Sequence, residues 1–169
     1  NDMAATLARG KAVKPEVLVV AGHSQGALTA RRQISEMKVD VPMLAMTHCD
    51  ASKLAKQHGD KSEFALCASQ WHKTLTYKDK FFGDGMKYDA DFTKAYGYAP
   101  PYQAAESSAA LLVFKDAFER ANSFDTKKVR DALAKTDMQT FYGNIKFGSG
   151  GQNTAKPMVL FQVMCKSGK

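Results

Sequence analysis

Residues 17–30 read VLVVAGHSQGALTA, and the change of rhythm inside that stretch decides the fold class. Residues 17–21 are a continuous apolar run of the kind a buried strand uses. Ala27, Leu28, Ile34 and Met37 then recur at the spacing of one helical face. Gly22 and Gly26 let the chain turn tightly between the two. The stretch therefore predicts a strand feeding directly into a helix, with Ser24 capping that helix by accepting a backbone N–H.

Working outward, the same alternation repeats. A helical segment over residues 3–11 precedes the first strand, and the helix over 24–37 follows it. A strand over 43–46, a helix over 51–58 and a strand over 63–69 come next. Successive βα units of this length imply an α/β fold with a parallel sheet flanked by helices. In such sheets ligands gather beyond the carboxyl ends of the strands, where helix N-termini converge. Here those ends are residues 23–25, 47–50 and 70–72.

After Trp71 the character changes to a polar, aromatic-rich loop, HKTLTYKDKFFGDG, and then to a helix over 84–96 ended by Gly97 and Pro100-Pro101. An Ala-rich helix over 102–121 follows, and Asp125 is placed to cap a short helix running to Ala134. Strands over 144–147 and 158–164, joined by a Gly-rich loop, complete the chain.

Gly22-His23-Ser24-Gln25-Gly26 also fits G-x-S-x-G, the pentapeptide that presents a nucleophilic serine in α/β-hydrolases. A serine esterase needs a histidine base and an acid to orient it. The triad that the sequence allows is Ser24, Asp50 and His72, one from each of three consecutive strand ends. That places the histidine about one βα unit too early, since His23, His48, His58 and His72 are the only histidines. No strand precedes residue 17 to supply the oxyanion loop. Non-covalent use of the same loop is the better reading: hydroxyl and amide groups at Ser24 and Gln25, beside a helix N-terminus, suit a ligand carboxylate.

Composition limits the remaining classes. The chain has 169 residues, 44% hydrophobic and 24% charged, with a net charge of +7. Its basic residues are scattered in ones and twos among acidic ones, which argues against nucleic acid as a partner. No run approaches the roughly 18–20 apolar residues of a membrane span. The start lacks a signal-peptide pattern, so the N-terminus says nothing of the compartment. Cys49, Cys67 and Cys165 share no metal-ligand spacing, and neither metal nor cofactor is expected. Cys67 lies in an apolar run where a buried, inert thiol is the usual explanation; a disulfide between two of the three stays open.

The stretch YAPPYQAAESSAALLVFKDAFERANSFDTKKVRDALAKTDMQTFYGNIKFGSGGQNTAKPMVLFQV brings together P-x-Y-x-A-A-E, A-[FI]-E-R-A-x-S-x-D, V-R-D-A-L, T-x-x-G-x-I-x-F and G-x-N-x-x-K-P-M. In these it resembles the periplasmic substrate-binding proteins of branched-chain and related amino-acid ABC transporters. KPEVLVVAGHSQGA, PMLAMT and the strand ending Ser69-Gln70-Trp71 continue the likeness through most of the chain.

The resemblance implies a non-enzymatic role and a Rossmann-like part of a two-lobe type I binding-protein fold. Such a fold closes on an amino acid or similar small carboxylate in an interlobe cleft and delivers it to membrane permease subunits from the periplasm. By that likeness residues 1–71 belong to the second lobe, 72–142 to the returning part of the first lobe, and 143–169 to the hinge crossover and final strands. The chain is then expected to be a fragment, or one piece of a homo-oligomer or swapped dimer. The ligand contacts implied are His23, Ser24, Gln25, Thr47, His48, Gln70 and Trp71. Some relatives place an acid at the second strand end to bind an ammonium group; here Thr47 and His48 stand there, and Asp50 comes slightly later. A ligand-sensing domain of a receptor or regulator would use the same fold.

Overall fold

A computed structural model describes residues 2–156 and 158–165 of the chain. It divides into two compact units, one formed by residues 1–69 with 159–169 and the other by 70–158. Among the described residues no helix is long and apolar enough to cross a membrane.

The first unit follows the predicted alternation: α1 (Ala4–Ala12), β1 (Val17–Val20), α2 (Ser24–Glu36), β2 (Met43–Thr47), α3 (Ala51–His58), a 3-10 turn (Gly59–Ser62) and β3 (Leu66–Ser69). The strands β1, β2 and β3 pair in parallel, in that order. A later strand, Val159–Gln162, pairs antiparallel with β3. Because the order runs one way across the sheet, right-handed crossovers put both connecting helices on one face. The core lies there: Ala27, Ala30 and Ile34 of α2 and Leu54 of α3 pack with Leu44, Met46 and Cys67 of the sheet.

Three expectations are corrected in this unit. The N-cap of α2 is His23, in extended conformation and without a side-chain capping bond, so Ser24 is the first helical residue. A cap must sit outside helical φ/ψ, and the turn delivers that geometry one residue earlier than the motif suggested. Cys67 is not a free thiol. It forms a disulfide with Cys49, the two Cα atoms 5.3 Å apart, a separation that the parallel register of β2 on β3 supplies. The third strand is also shorter than expected: Phe64 adopts a left-handed φ of 62°, and Phe64 N and Ala65 O both bond the Val163 backbone, so the pairing continues there in irregular, bulged form.

The second unit contains a small hairpin of β4 (Lys78–Asp79) and β5 (Gly83–Asp84), then α4 (Gly85–Tyr96), α5 (Tyr102–Ala121), α6 (Thr126–Leu133), and a second hairpin of β6 (Asp137–Thr140) and β7 (Gly143–Lys146). The Val159–Gln162 strand of the first unit is then β8. Helix ends follow the signals in the sequence. Asp84 and Asp125 accept from Lys87 N and Lys128 N, and Gly97 closes α4 in the left-handed conformation. Gly85 is buried where an added Cβ would meet the Lys73 carbonyl oxygen at 2.6 Å, so only glycine fits.

The core of this unit is aromatic, with Trp71, Tyr88, Phe141 and Tyr142 packed on Ala105, Ala109 and Val113. One side chain organises its edge. Asp79 accepts from Phe81 N and Phe82 N through Oδ1, each at 2.8 Å, and from Phe141 N through Oδ2 at 2.7 Å. It thereby ties the loop of the first hairpin to the turn of the second. Asp79→Ala strands three donors and is expected to lower unfolding stability by roughly 2–3 kcal/mol. Asp79→Asn, which keeps one acceptor oxygen, should lose less; urea midpoints for the two variants test the order.

Candidate functional site

The carboxyl ends of β1 and β2 bring five of the expected residues together. The last paired residues of these strands are Val20 and Met46. Beyond them the Thr47 hydroxyl replaces the missing ladder bonds, accepting from Gly22 N at 3.0 Å and donating to Gly22 O at 3.1 Å. That brace fixes the point at which the chain turns into α2 and so fixes His23, Ser24 and Gln25, all exposed.

His48 is held from both sides. Thr47 precedes it with the bonds just described, and Cys49 follows it with the disulfide to the fully buried Cys67. Between these anchors His48 takes a left-handed φ of 52°, a conformation that a non-glycine residue keeps only where its surroundings impose it. Its ring meets that of His23 edge-on, with centroids 5.2 Å apart. Two imidazoles, a hydroxyl and a carboxamide thus lie about the N-terminus of α2. The cap of that helix offers no side-chain acceptor and its first turn holds no acid, so its leading N–H groups and positive dipole end suit an anion.

Asp50, the only acid near these loops in sequence, is engaged elsewhere. It caps α3, accepting from Lys53 N at 3.0 Å, with Lys53 Nζ at 4.0 Å. His72 places Nδ1 2.8 Å from Thr74 Oγ1, and burial pushes its pKa below the ordinary histidine value, with Lys73 adding to the effect. Among the described residues no imidazole of the first unit hydrogen-bonds the Ser24 hydroxyl, and Asp50 is taken up by the α3 cap.

The other two expected residues open the second unit. Gln70 accepts from Lys156 Nζ through its carbonyl oxygen. Trp71 is 5% exposed and meets Tyr88 and Phe141 edge-on, with centroids at 5.7 and 6.0 Å; its ring fills the aromatic core.

A cavity of about 740 Å3 in the same unit has mainly apolar walls, with Val113, Phe114, Tyr142 and Phe147 among them and Glu106, Arg130 and Lys156 as charged members. The Lys156 amine lies 4.3 Å above the Tyr142 ring. Burial lowers its pKa, opposed by Glu106, and burial raises that of Tyr142. Sequence reasoning gave Lys156 no role, although it stands in the quoted G-x-N-x-x-K-P-M pattern.

A family model described as periplasmic binding protein matches residues 1–169. The chain belongs to the periplasmic binding protein family. Solved members with the same fold include the leucine-binding protein LivK of Thermotoga maritima, 23% identical, with a TM-score of 0.79 over 96% of this chain and 45% of that one. A leucine-, isoleucine-, valine-, threonine- and alanine-binding protein of Brucella ovis, in closed conformation, is 17% identical, with a TM-score of 0.76 over 98% of this chain and 42% of its own. A solute-binding protein of R. palustris in complex with benzoate is 15% identical, with a TM-score of 0.73 over 96% and 44%. This periplasmic binding protein chain therefore has the type I α/β fold, and it spans less than half the length of these solved relatives.

Proposed function

We propose that the chain is the solute-binding part of an ABC import system in the periplasm, and that its ligand is a small carboxylate or an amino acid. The observation that carries the reading is the meeting of His23, Ser24 and Gln25 with Thr47 and His48 at an uncapped helix N-terminus, in a chain of this family. Hydroxyl, amide and backbone N–H donors there hold a carboxylate without a covalent step. With Asp50 turned to α3, these loops offer an ammonium group no acid, so a carboxylate lacking one is the better fit.

Under this reading residues 1–71 and the final strand belong to the second lobe of the family fold, and 72–142 to the first. Permease subunits are the membrane partner. Trp71 contributes by packing, and Gln70 by its backbone contact with Lys156.

The test is a nitrogen-proton NMR titration of the 169-residue chain with benzoate and with leucine. Shifts confined to residues 22–26 and 47–48 are expected, larger with benzoate. Substituting His23 or Gln25 by Ala is expected to weaken binding roughly tenfold, the loss of about one charge-assisted hydrogen bond. Shifts confined to the cavity around Lys156, or none at all, would refute the assignment. Labelling of Ser24 by a fluorophosphonate would revive the esterase.

A further inference from the structure

The parallel register that sets Val20 beside Met46 carries the chain past both strand ends and brings His23 and His48 together there. Their ring centroids are 5.2 Å apart, with the planes at 64°. The Cβ–Cγ bond of a histidine points through the middle of its ring, so turning χ2, a broad torsion, swings the nitrogens and leaves the centroid in place. Backbone and χ1 therefore fix the spacing, while χ2 aims the donors. Two imidazoles on one tetrahedral zinc ion, with Zn–N of about 2.0–2.1 Å and each centroid about 1.1–1.2 Å behind its nitrogen, have centroids roughly 5.1–5.4 Å apart. His23 and His48 already stand at that spacing.

We infer that His23 and His48 form a two-imidazole site for a divalent transition-metal ion of the zinc class, with its remaining coordination positions open. Imidazole suits such ions, whereas magnesium and calcium take oxygen ligands. His48 is placed in advance: the Thr47 brace on one side and the Cys49–Cys67 disulfide on the other hold its backbone at a φ of 52°, which leaves the metal little ordering to impose. His23 is exposed and His48 half-buried, so an ion reaches them from solvent. Among the described residues no group of three or more His, Cys, Asp or Glu is placed to hold a metal. The protein thus supplies two ligands, and water or a solute oxygen takes the other positions. The sequence carries no metal spacing here because the two ligands come from different strand ends.

Those open positions tie the ion to the solute. His23 caps α2, whose N-terminus carries a partial positive charge, and the whole chain carries +7, so a cation alone is held weakly. A carboxylate on the helix N–H groups relieves that conflict and offers the metal an oxygen, and each then raises the affinity of the other by the same factor. This coupling rests on the proposed function; the two-histidine site does not.

The experiment titrates zinc chloride into the untagged, oxidised 169-residue chain carrying Cys165→Ser, which removes the free thiol. Ring nitrogen shifts are followed by long-range nitrogen-proton NMR and affinity by calorimetry. Joint movement of the His23 and His48 rings is expected, with a single ion bound per chain. His23→Ala and His48→Asn should each weaken zinc binding roughly tenfold or more, since changes behind a ligand already cost that much; Asn is chosen because it tolerates the left-handed backbone. His58→Gln, in the same unit, should leave the affinity unchanged. Absence of zinc binding, movement of one ring without the other, shifts centred on His58 or His72, or full affinity in either variant would overturn the inference. Saturating benzoate is expected to raise zinc affinity roughly fivefold or more. Zinc held by both histidines but indifferent to benzoate would defeat the link to the solute and leave the metal site standing. Benzoate shifts at residues 22–26 in a chain that ignores zinc would defeat the metal site and leave the functional reading intact.

Discussion

Replacing both Cys49 and Cys67 by Ala is expected to lower the unfolding stability of the first unit by about 3 kcal/mol. The bridge spans 18 positions, and a cross-link of that size removes about 3 kcal/mol of loop entropy from the unfolded chain. Cys67 is also fully buried between α2, α3 and the sheet, so the alanines leave unfilled space and add to the loss. The effect is local as well as global. His48 keeps its left-handed backbone only while Thr47 and Cys49 hold it on either side, and cutting one anchor lets the ring swing away from His23. Urea unfolding of the oxidised chain and of the double variant measures the first effect. Histidine ring shifts of His23 and His48 measure the second. Identical midpoints and identical ring shifts would mean that the bridge neither stabilises the unit nor positions the loop. An oxidising compartment is the natural setting for such a bond, in keeping with the periplasmic location proposed.

The first unit was legible because each of its elements carries its own signal. The run before Gly22, the helical spacing after it, the repetition of that pair once more and the third strand that follows leave only a parallel sheet as the solution. The disulfide was not legible, because it depends on the register of β2 on β3, and a three-cysteine sequence contains no register. The exposure of Val17 and Val19 was hidden for the same reason: both read as buried residues, and only the strand order shows which face the helices leave uncovered. Among the candidate site residues, the grouping of His23, Ser24 and Gln25 with Thr47 and His48 follows from adjacent parallel strands. Thr47 as a brace does not, since a hydroxyl at a strand end serves a ligand or a neighbouring backbone equally well on paper. In the second unit the hairpin of β6 and β7 was missed at its first strand. Its two-residue turn is Phe141-Tyr142, which lacks the Asn or Gly that marks a hairpin in sequence; neither residue takes a left-handed φ, so the turn does not need one.

The aromatic core makes Phe141 the most sensitive position of the second unit. Its side chain is fully buried, stacked on Tyr88 at a centroid distance of 4.2 Å and flanked by Phe82 at 5.2 Å and Trp71 at 6.0 Å. Its backbone N–H is held by Asp79, while the Thr140 hydroxyl donates to Gly143 O at 3.0 Å and closes the turn. The ring is the keystone of the cluster, and its burial fixes the two-residue turn in place. Phe141→Ala removes that contact and leaves a cavity too enclosed to collapse, so a loss of about 3–5 kcal/mol is expected. Phe141→Leu keeps most of the volume but no ring stacking, and about 1–2 kcal/mol is expected. Trp71, the single tryptophan, sits in the same cluster and reports the unit directly: its emission should shift to the red at successively lower urea in wild type, Phe141→Leu and Phe141→Ala. If Phe141→Ala is too unstable to purify, the leucine variant still orders the series. Coincident Trp71 transitions for Phe141→Leu and wild type would show that stacking against Phe141 contributes nothing, and that the turn is held by Asp79 and Thr140 alone.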